Sequence, residues 1–208
     1  MPLEIYGVAR SRAFRTLWMA GELGLDYRLI RVDFADGGTR RPEFLAINPN
    51  GHVPVIDDDG FRLWESMAIN LYLAKKYGSG DGGLYPQRLE DEARAWQWSF
   101  WGMTEVERPA LTVLLNRIGP EDRRDAAAAE AAERQLAAPL AVLDAALAAS
   151  PYLLGQRFSA ADLNVASILS WARQARGDLS PFAKTEAWLK ACHDRPAARA
   201  ARELQREG

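Results

Sequence analysis

"NPNGHVPVIDDDGFRLWES", residues 48–66, decides how the first half of the chain is read. "VPVID" and "FRLWE" are two short runs rich in β-branched and aromatic residues, separated by an acidic turn that closes on Gly60. That pattern predicts an antiparallel hairpin, with Asp57, Asp58 and Asp59 as turn residues rather than a metal loop. Pro54 stands at the head of the first run, where it supplies no ladder donor. It fits there if the backbone of Val53 is turned outward, which a cis Val53–Pro54 bond would do. The N–H and C=O of Val53 then form a short edge for an extended peptide. Eleven residues on, Glu65-Ser66 opens an apolar helix. Ser66 is placed to cap it, the free N–H groups there favour a carboxylate, and Glu65 can accept from an ammonium group. A peptide edge, an anion site and a cation acceptor match the groups of a γ-glutamyl peptide.

Upstream, "LEIYGV" (3–8) reads as a strand. Phe14, Leu17, Trp18, Gly21 and Leu25 then keep helical spacing, with Gly24 as the stop. "DYRLIRVDF" (26–34) alternates as a second strand, and "RPEFLAIN" is a short helical piece ended by Asn48-Pro49. "SMAINLYLAKKYG" closes the half as a helix. The order βαβαββα is an α/β layer arrangement, with the first two strands parallel and the last two antiparallel. "GSGDGGLYP" (78–86) is a glycine-dense linker. The expected organisation is an α/β domain over 1–78, a linker over 79–86, and an all-helical domain over 87–208.

In that second domain "LEDEARAWQWSFWGMTEVERPALTVLLNRI" is one long helical pattern bent at Pro109. The alanine-rich segment after it carries an apolar stripe, Leu136, Leu140, Leu143 and Leu147. "FSAADL" (158–163) is a sharp helix start: Ser159 as N-cap, Asp162 facing back to it, and Phe158 and Leu163 in the staple positions. Asp162 is therefore structural rather than catalytic.

Composition narrows the function classes. The 208 residues are 48% hydrophobic and 26% charged with net charge −2, which leaves no basic footprint for nucleic acid or anionic lipid. No apolar run approaches a membrane span, and the N-terminus lacks a signal-peptide core. Cys192 is the only cysteine and reads as a small core residue, so the chain suits a reducing, cytoplasmic compartment. Two histidines, His52 and His193, make no metal cluster, and no metal site is expected.

"NPNGHVPVID", "WES" ahead of a helix, and "FSAADL", in this order and spacing, resemble the glutathione S-transferase family over essentially the whole chain. The resemblance implies a thioredoxin-like N-terminal domain and an all-α C-terminal domain. It implies glutathione as co-substrate, with no tightly bound cofactor, and transfer to a small hydrophobic electrophile or reduction of an organic hydroperoxide. By the same resemblance Val53, Pro54, Glu65 and Ser66 form the core of the glutathione site. His52 stands where many relatives have glutamine. Arg40 and Arg41, which alone read as a solvated pair, lie where a basic residue reaches the glycyl carboxylate.

A free thiol has a pKa of about 8.5, so a catalyst must supply a donor and positive potential at the sulfur. Two hydroxyls qualify. Ser11 sits close to the start of the first helix and matches the serine-type, phi- or theta-like members. Tyr6, at the end of the first strand, matches the tyrosine classes. The glycine after Tyr6 and the serine spacing favour Ser11, and Arg12 is either added positive potential or a surface helix residue. The electrophile would lie between the domains, with Val8, Ala9 and Arg10 on one side and Trp98 and Trp101, which otherwise read as core, on the other. The family resemblance implies a homodimer using the third helix (66–77) and the first long helix of the second domain, with polar contacts prominent. Asn50, before Gly51, cannot serve as an aromatic key into a partner. The competing reading is a non-catalytic binding or regulatory module. A disulfide oxidoreductase of thioredoxin type would need Cys-x-x-Cys, which is missing.

Overall fold

Alternation in "LEIYG" buries Leu3, Ile5 and Gly7 on one face of β1 (Leu3–Gly7) and leaves Glu4 and Tyr6 half-buried on the other. In the computed structural model, which describes residues 2–80 and 82–207, β1 lies inside a four-stranded sheet of order β2-β1-β3-β4. It runs parallel to β2 (Tyr27–Arg31) and antiparallel to β3 (Val55–Asp58), and β3 pairs antiparallel with β4 (Phe61–Trp64). Helices α1 (Ala13–Glu22), α2 (Pro42–Leu45) and α3 (Ser66–Tyr77) complete the expected βαβαββα order. Met1, Asp81 and Gly208, which fall in the expected domains and linker, lie outside the described residues.

Two local signals hold. Gly24, at φ 62°, ends α1: its N–H bonds the Gly21 carbonyl and the Leu25 N–H bonds that of Ala20, the paired closure an αL residue permits. The hairpin turns through Asp59 (φ 55°) and Gly60 (φ 88°), and Asp57 Oδ1 accepts from the Gly60 N–H at 2.8 Å. Other expectations need correction. The strand foreseen over 26–34 stops at Arg31, because Asp33 leaves the ladder to accept from Arg10, Arg31 and the Ala35 N–H. Asp58 does more than turn the chain. Its buried carboxylate accepts from Tyr72 Oη, Lys76 Nζ and Tyr77 Oη at 2.8, 2.7 and 2.7 Å, tying the hairpin to α3. The glycine-dense linker is also tied to the first unit: the Tyr85 N–H returns to the Gly78 carbonyl, and the Tyr85 ring is buried under Lys75.

Contacts divide the chain into one unit of Met1–Tyr85 with Asp194–Gly208 and another of Pro86–His193. The expected helical domain ending at 208 is therefore corrected at its C-terminal end. The last helix, α9 (Pro196–Glu207), packs on α1 in the first unit. The reason is local: Gly21 has no side chain where Ala197 crosses it, and Arg195 grips Glu22 through two bonds of 2.7 and 2.6 Å.

The second unit holds α4 (Leu89–Trp101), α5 (Glu107–Ile118), α6 (Ala126–Ala149), α7 (Ala160–Gln174) and α8 (Ala183–His193). The single long helix bent at Pro109 is in fact α4 and α5 joined by a π turn over Gly102–Val106. Pro109 has no N–H to return to the Glu105 carbonyl, and the wider turn absorbs that loss. The stripe Leu136, Leu140, Leu143 and Leu147 is buried as expected. The start of α7 is also as expected: Asp162 accepts from the Ser159 N–H and hydroxyl, and additionally from the Leu153 N–H and Trp188 Nε1. No helix among the described residues is long and apolar enough to cross a membrane.

Candidate functional site

Gly7 is where the first unit brings its functional loops together. A methyl group there would come within 2.8 Å of Ala13 Cβ and 3.3 Å of Val53 Cβ, and its φ of 149° is rare for an L residue. Only glycine lets the end of β1 pass between the start of α1 and the segment before β3. Ala13, at the start of α1, and Val53, ahead of the cis peptide, thereby stand on either side of Gly7.

Ser11 sits just ahead of α1. Its hydroxyl donates to the Val8 carbonyl at 2.7 Å and accepts from the Ala13 N–H at 3.1 Å. It is half-buried, and Arg12 occupies the N-cap position beside it. An O–H at a helix N-terminus has both the donor and the positive end of the peptide dipoles to offer an anion. Tyr6 is placed differently. Its ring packs against Phe44, Val53 and Val55, and its hydroxyl donates to Glu4 Oε2 at 2.6 Å. Burial, and then that bond to Glu4, push its pKa up to about 12. The two candidate hydroxyls thus have different partners: Ser11 bonds the backbone at the start of α1, and Tyr6 holds its proton against a carboxylate.

The Val53–Pro54 bond is cis, and β3 begins only at Val55, so the Val53 peptide lies ahead of the ladder. Its approach is fixed by Asn48, a buried residue that the sequence marks only as the end of a helical piece. Asn48 Oδ1 accepts from the Asn50 N–H, and its Nδ2 donates to the His52 carbonyl at 2.8 Å. The His52 side chain is exposed at this turn. The two adjacent arginines separate. Arg40 Nη1 lies over Gly51, within 2.8 Å of where a methyl would stand, whereas Arg41 turns toward Asp36 at 4.0 Å.

At α3 the expected cap is corrected. Ser66 is the first helical residue; Glu65 is the N-cap, exposed, and no side chain caps the helix start. Glu65 sits at φ 72°, ψ 112°, an unfavourable conformation for a residue with a Cβ, of the sort that marks functional positions. The Ser66 hydroxyl is buried and accepts from Arg15 Nη1 at 3.2 Å. Arg15 is a second missed residue. It is 1% exposed in the first turn of α1, where every residue from 13 to 20 is buried. A charged residue inside "AFRTLWMA" was the available signal. A third is Gln205 of α9, whose Nε2 donates to the Ala9 carbonyl at 2.9 Å, beside the Ser11 turn.

The residues expected along the electrophile site divide by unit. Val8 and Ala9 are buried, so they present little open wall, and the Arg10 guanidinium is held by Asp33 at 2.5 Å and lies over the Phe34 ring. In the second unit Trp98 and Trp101 are half-buried on α4 and meet edge to face at 5.0 Å. No three His, Cys, Asp or Glu side chains among the described residues stand close enough to hold a metal.

A thioredoxin-like βαβαββα unit carrying a cis-proline loop, with an all-helical unit in the same chain, defines the class. The chain matches the family descriptions "Glutathione S-transferase, N-terminal domain" over residues 1–75 and "Glutathione S-transferase, C-terminal domain" over residues 106–196. It is 36% identical over 206 residues to "Glutathione S-transferase 3" of Zea mays, covering 94% of this chain and 91% of that one. It is 33% identical over 205 residues to "Disulfide-bond oxidoreductase YfcG" of Escherichia coli K12, covering 94% and 92%. Among solved structures it superposes on the theta class glutathione S-transferase of Xanthomonas axonopodis pv. citri with glutathione bound, at TM-score 0.89, 34% identity and 97% coverage of both chains. The chain belongs to the glutathione S-transferase family.

Proposed function

We propose that the chain binds glutathione in its first unit and delivers the sulfur as a thiolate to a small hydrophobic electrophile. The observation that carries this reading is the Ser11 hydroxyl, bonded to the N–H of Ala13 at the start of α1, with Ala13 across Gly7 from Val53, while the Tyr6 hydroxyl is committed to Glu4. The Val53 backbone pairs with the cysteinyl part of the tripeptide. Ser66 and the N–H groups at the start of α3 receive the γ-glutamyl carboxylate, and Glu65 accepts from its ammonium group. Arg40, with His52 beside it, takes the glycyl carboxylate.

Chemically, Ser11 need not remove the thiol proton. It turns its O–H from the Val8 carbonyl to the sulfur and stabilises the anion, so the proton leaves to solvent near neutral pH. The thiolate then attacks the electrophilic carbon, the C–S bond forms, and the leaving group departs with its electron pair. A serine donor within a helix start serves this better than a phenol whose own proton is held by a carboxylate.

The expected assembly is a C2 homodimer. Leu89, Trp96 and Phe100 on α4 are exposed at helical spacing, which supports an interface there and makes it more apolar than the sequence suggested. Asn50 is exposed and bonded through its backbone to Asn48, in keeping with the absence of a key.

The test is turnover with aryl halides, hydroperoxides, isothiocyanates and a low-molecular-weight disulfide, alongside titration of the bound thiolate absorbance. Ser11→Ala should raise the bound-thiol pKa and cut turnover near neutral pH, and Tyr6→Phe should do less. Glutathione binding without turnover on any of these would favour a non-catalytic binding module.

A further inference from the structure

Arg15 contacts one of the groups assigned above to glutathione, and it does so from inside the protein. Its side chain is buried in α1, and its Nη1 donates to Ser66 Oγ at 3.2 Å. One turn further along α3, Asn70 Nδ2 donates to the Arg15 carbonyl at 3.3 Å. Residues four apart lie on the same helix face, so Ser66 and Asn70 both face α1, and Arg15 is held through its main chain as well as its guanidinium.

A serine hydroxyl has one proton and two lone pairs. A guanidinium can only donate, so the Arg15 contact takes a lone pair and leaves the Ser66 proton to point elsewhere. It also polarises the O–H, making it a better donor to an anion, and inside a protein such chains strengthen one another. The geometry points to Arg15 as the positioning residue of the γ-glutamyl site: it orients Ser66 as a donor and recognises the tripeptide's α-carboxylate through it, without touching the ligand. This rests on the assignment of Ser66 to that carboxylate.

The experiment is a double-mutant cycle read by calorimetry with two ligands: glutathione, and an analogue whose γ-glutamyl α-carboxylate is an amide. Ser66→Ala and Arg15→Gln should each weaken glutathione about ten-fold, and the double variant should lose little more than either alone. Neither variant should discriminate against the amide analogue to that extent. Arg15→Lys, which keeps the charge with a single point donor, should restore part of the loss. Because a buried arginine can be needed for folding, the intact protein supplies a second readout. The guanidinium nitrogen resonances of Arg15, assigned by through-bond correlation, should shift on adding glutathione in the wild type and not in Ser66→Ala. If Ser66→Ala leaves glutathione affinity unchanged, the assignment of the carboxylate falls and the proposal with it. If Ser66→Ala weakens binding while the Arg15 losses are additive, equal for the amide, or unaccompanied by a resonance shift, only the role given to Arg15 is overturned.

Discussion

Two helices in this chain begin at a serine beside or near an acidic residue, and the starts are built in opposite ways. At α7, Asp162 is fully buried and takes four protein donors: two from Ser159, one from the Leu153 backbone and one from the Trp188 indole. At α3, Glu65 is exposed, lies at φ 72°, and leaves the helix start without a side-chain cap. The first start is closed; everything a ligand would want has been used. The second leaves its N–H groups without a side-chain cap and its acidic residue exposed, at a conformational cost. Helix starts of the first kind hold a fold together, and those of the second kind are available for binding.

That contrast is easiest to break at Asp162. Asp162→Ala orphans four donors in the interior of the second unit and should cost about 3–4 kcal/mol in urea unfolding, enough to endanger expression. A loss below ~1 kcal/mol would show that the start of α7 is not closed in the sense argued. Ser66→Ala should weigh more on binding, with ~1–2 kcal/mol lost from glutathione binding and a smaller stability loss than Asp162→Ala, since it removes one buried acceptor, that of Arg15 Nη1, rather than four. Glu65→Gly sharpens the comparison further. Relief of the positive φ should raise stability by ~1 kcal/mol while glutathione affinity falls, and a variant that loses both would place Glu65 among the structural residues.

Asp58 tests the pH side of the same idea. Burial opposes its charge, but the Lys76 ammonium and the Tyr77 and Tyr72 hydroxyls outweigh that, and its pKa lies below the ordinary carboxylate value. The folded value is lower than the unfolded one, so its stabilisation is complete at neutral pH and is lost as pH falls through the folded value. Asp58→Asn should therefore lower stability at pH 7 by ~1–3 kcal/mol and flatten the acid limb of the stability curve. Tyr6→Phe should be the mildest change, below ~0.5 kcal/mol in stability once Glu4 keeps its bond to Arg28, with thiolate titration nearly unmoved.

The closed start was legible in "FSAADL" because a capping box is local: its partners are three residues apart. So were the hairpin, the stop at Gly24 and the proline at the head of β3. What escaped was non-local. Arg15 meets Ser66 and Gln205 meets Ala9 across separations that no periodicity encodes. The residue type suits Ser66 to a cap, whereas the backbone places Glu65 there instead. The end of β2 is hidden for a similar reason: alternation continues past Arg31, but Asp33 has better partners outside the ladder.

The return of α9 to α1 has a consequence for synthesis. The first unit is interrupted by about a hundred residues belonging to the second. On a ribosome adding roughly 5–20 residues per second, α1 emerges about 9–35 s before the helix that covers it. Through that interval Gly21 and the alanine-facing side of α1 are without α9, and Glu22 is without Arg195. The nascent first unit must wait, exposed on one side, for a segment translated after the whole helical unit, and a holding chaperone would have its longest opportunity there.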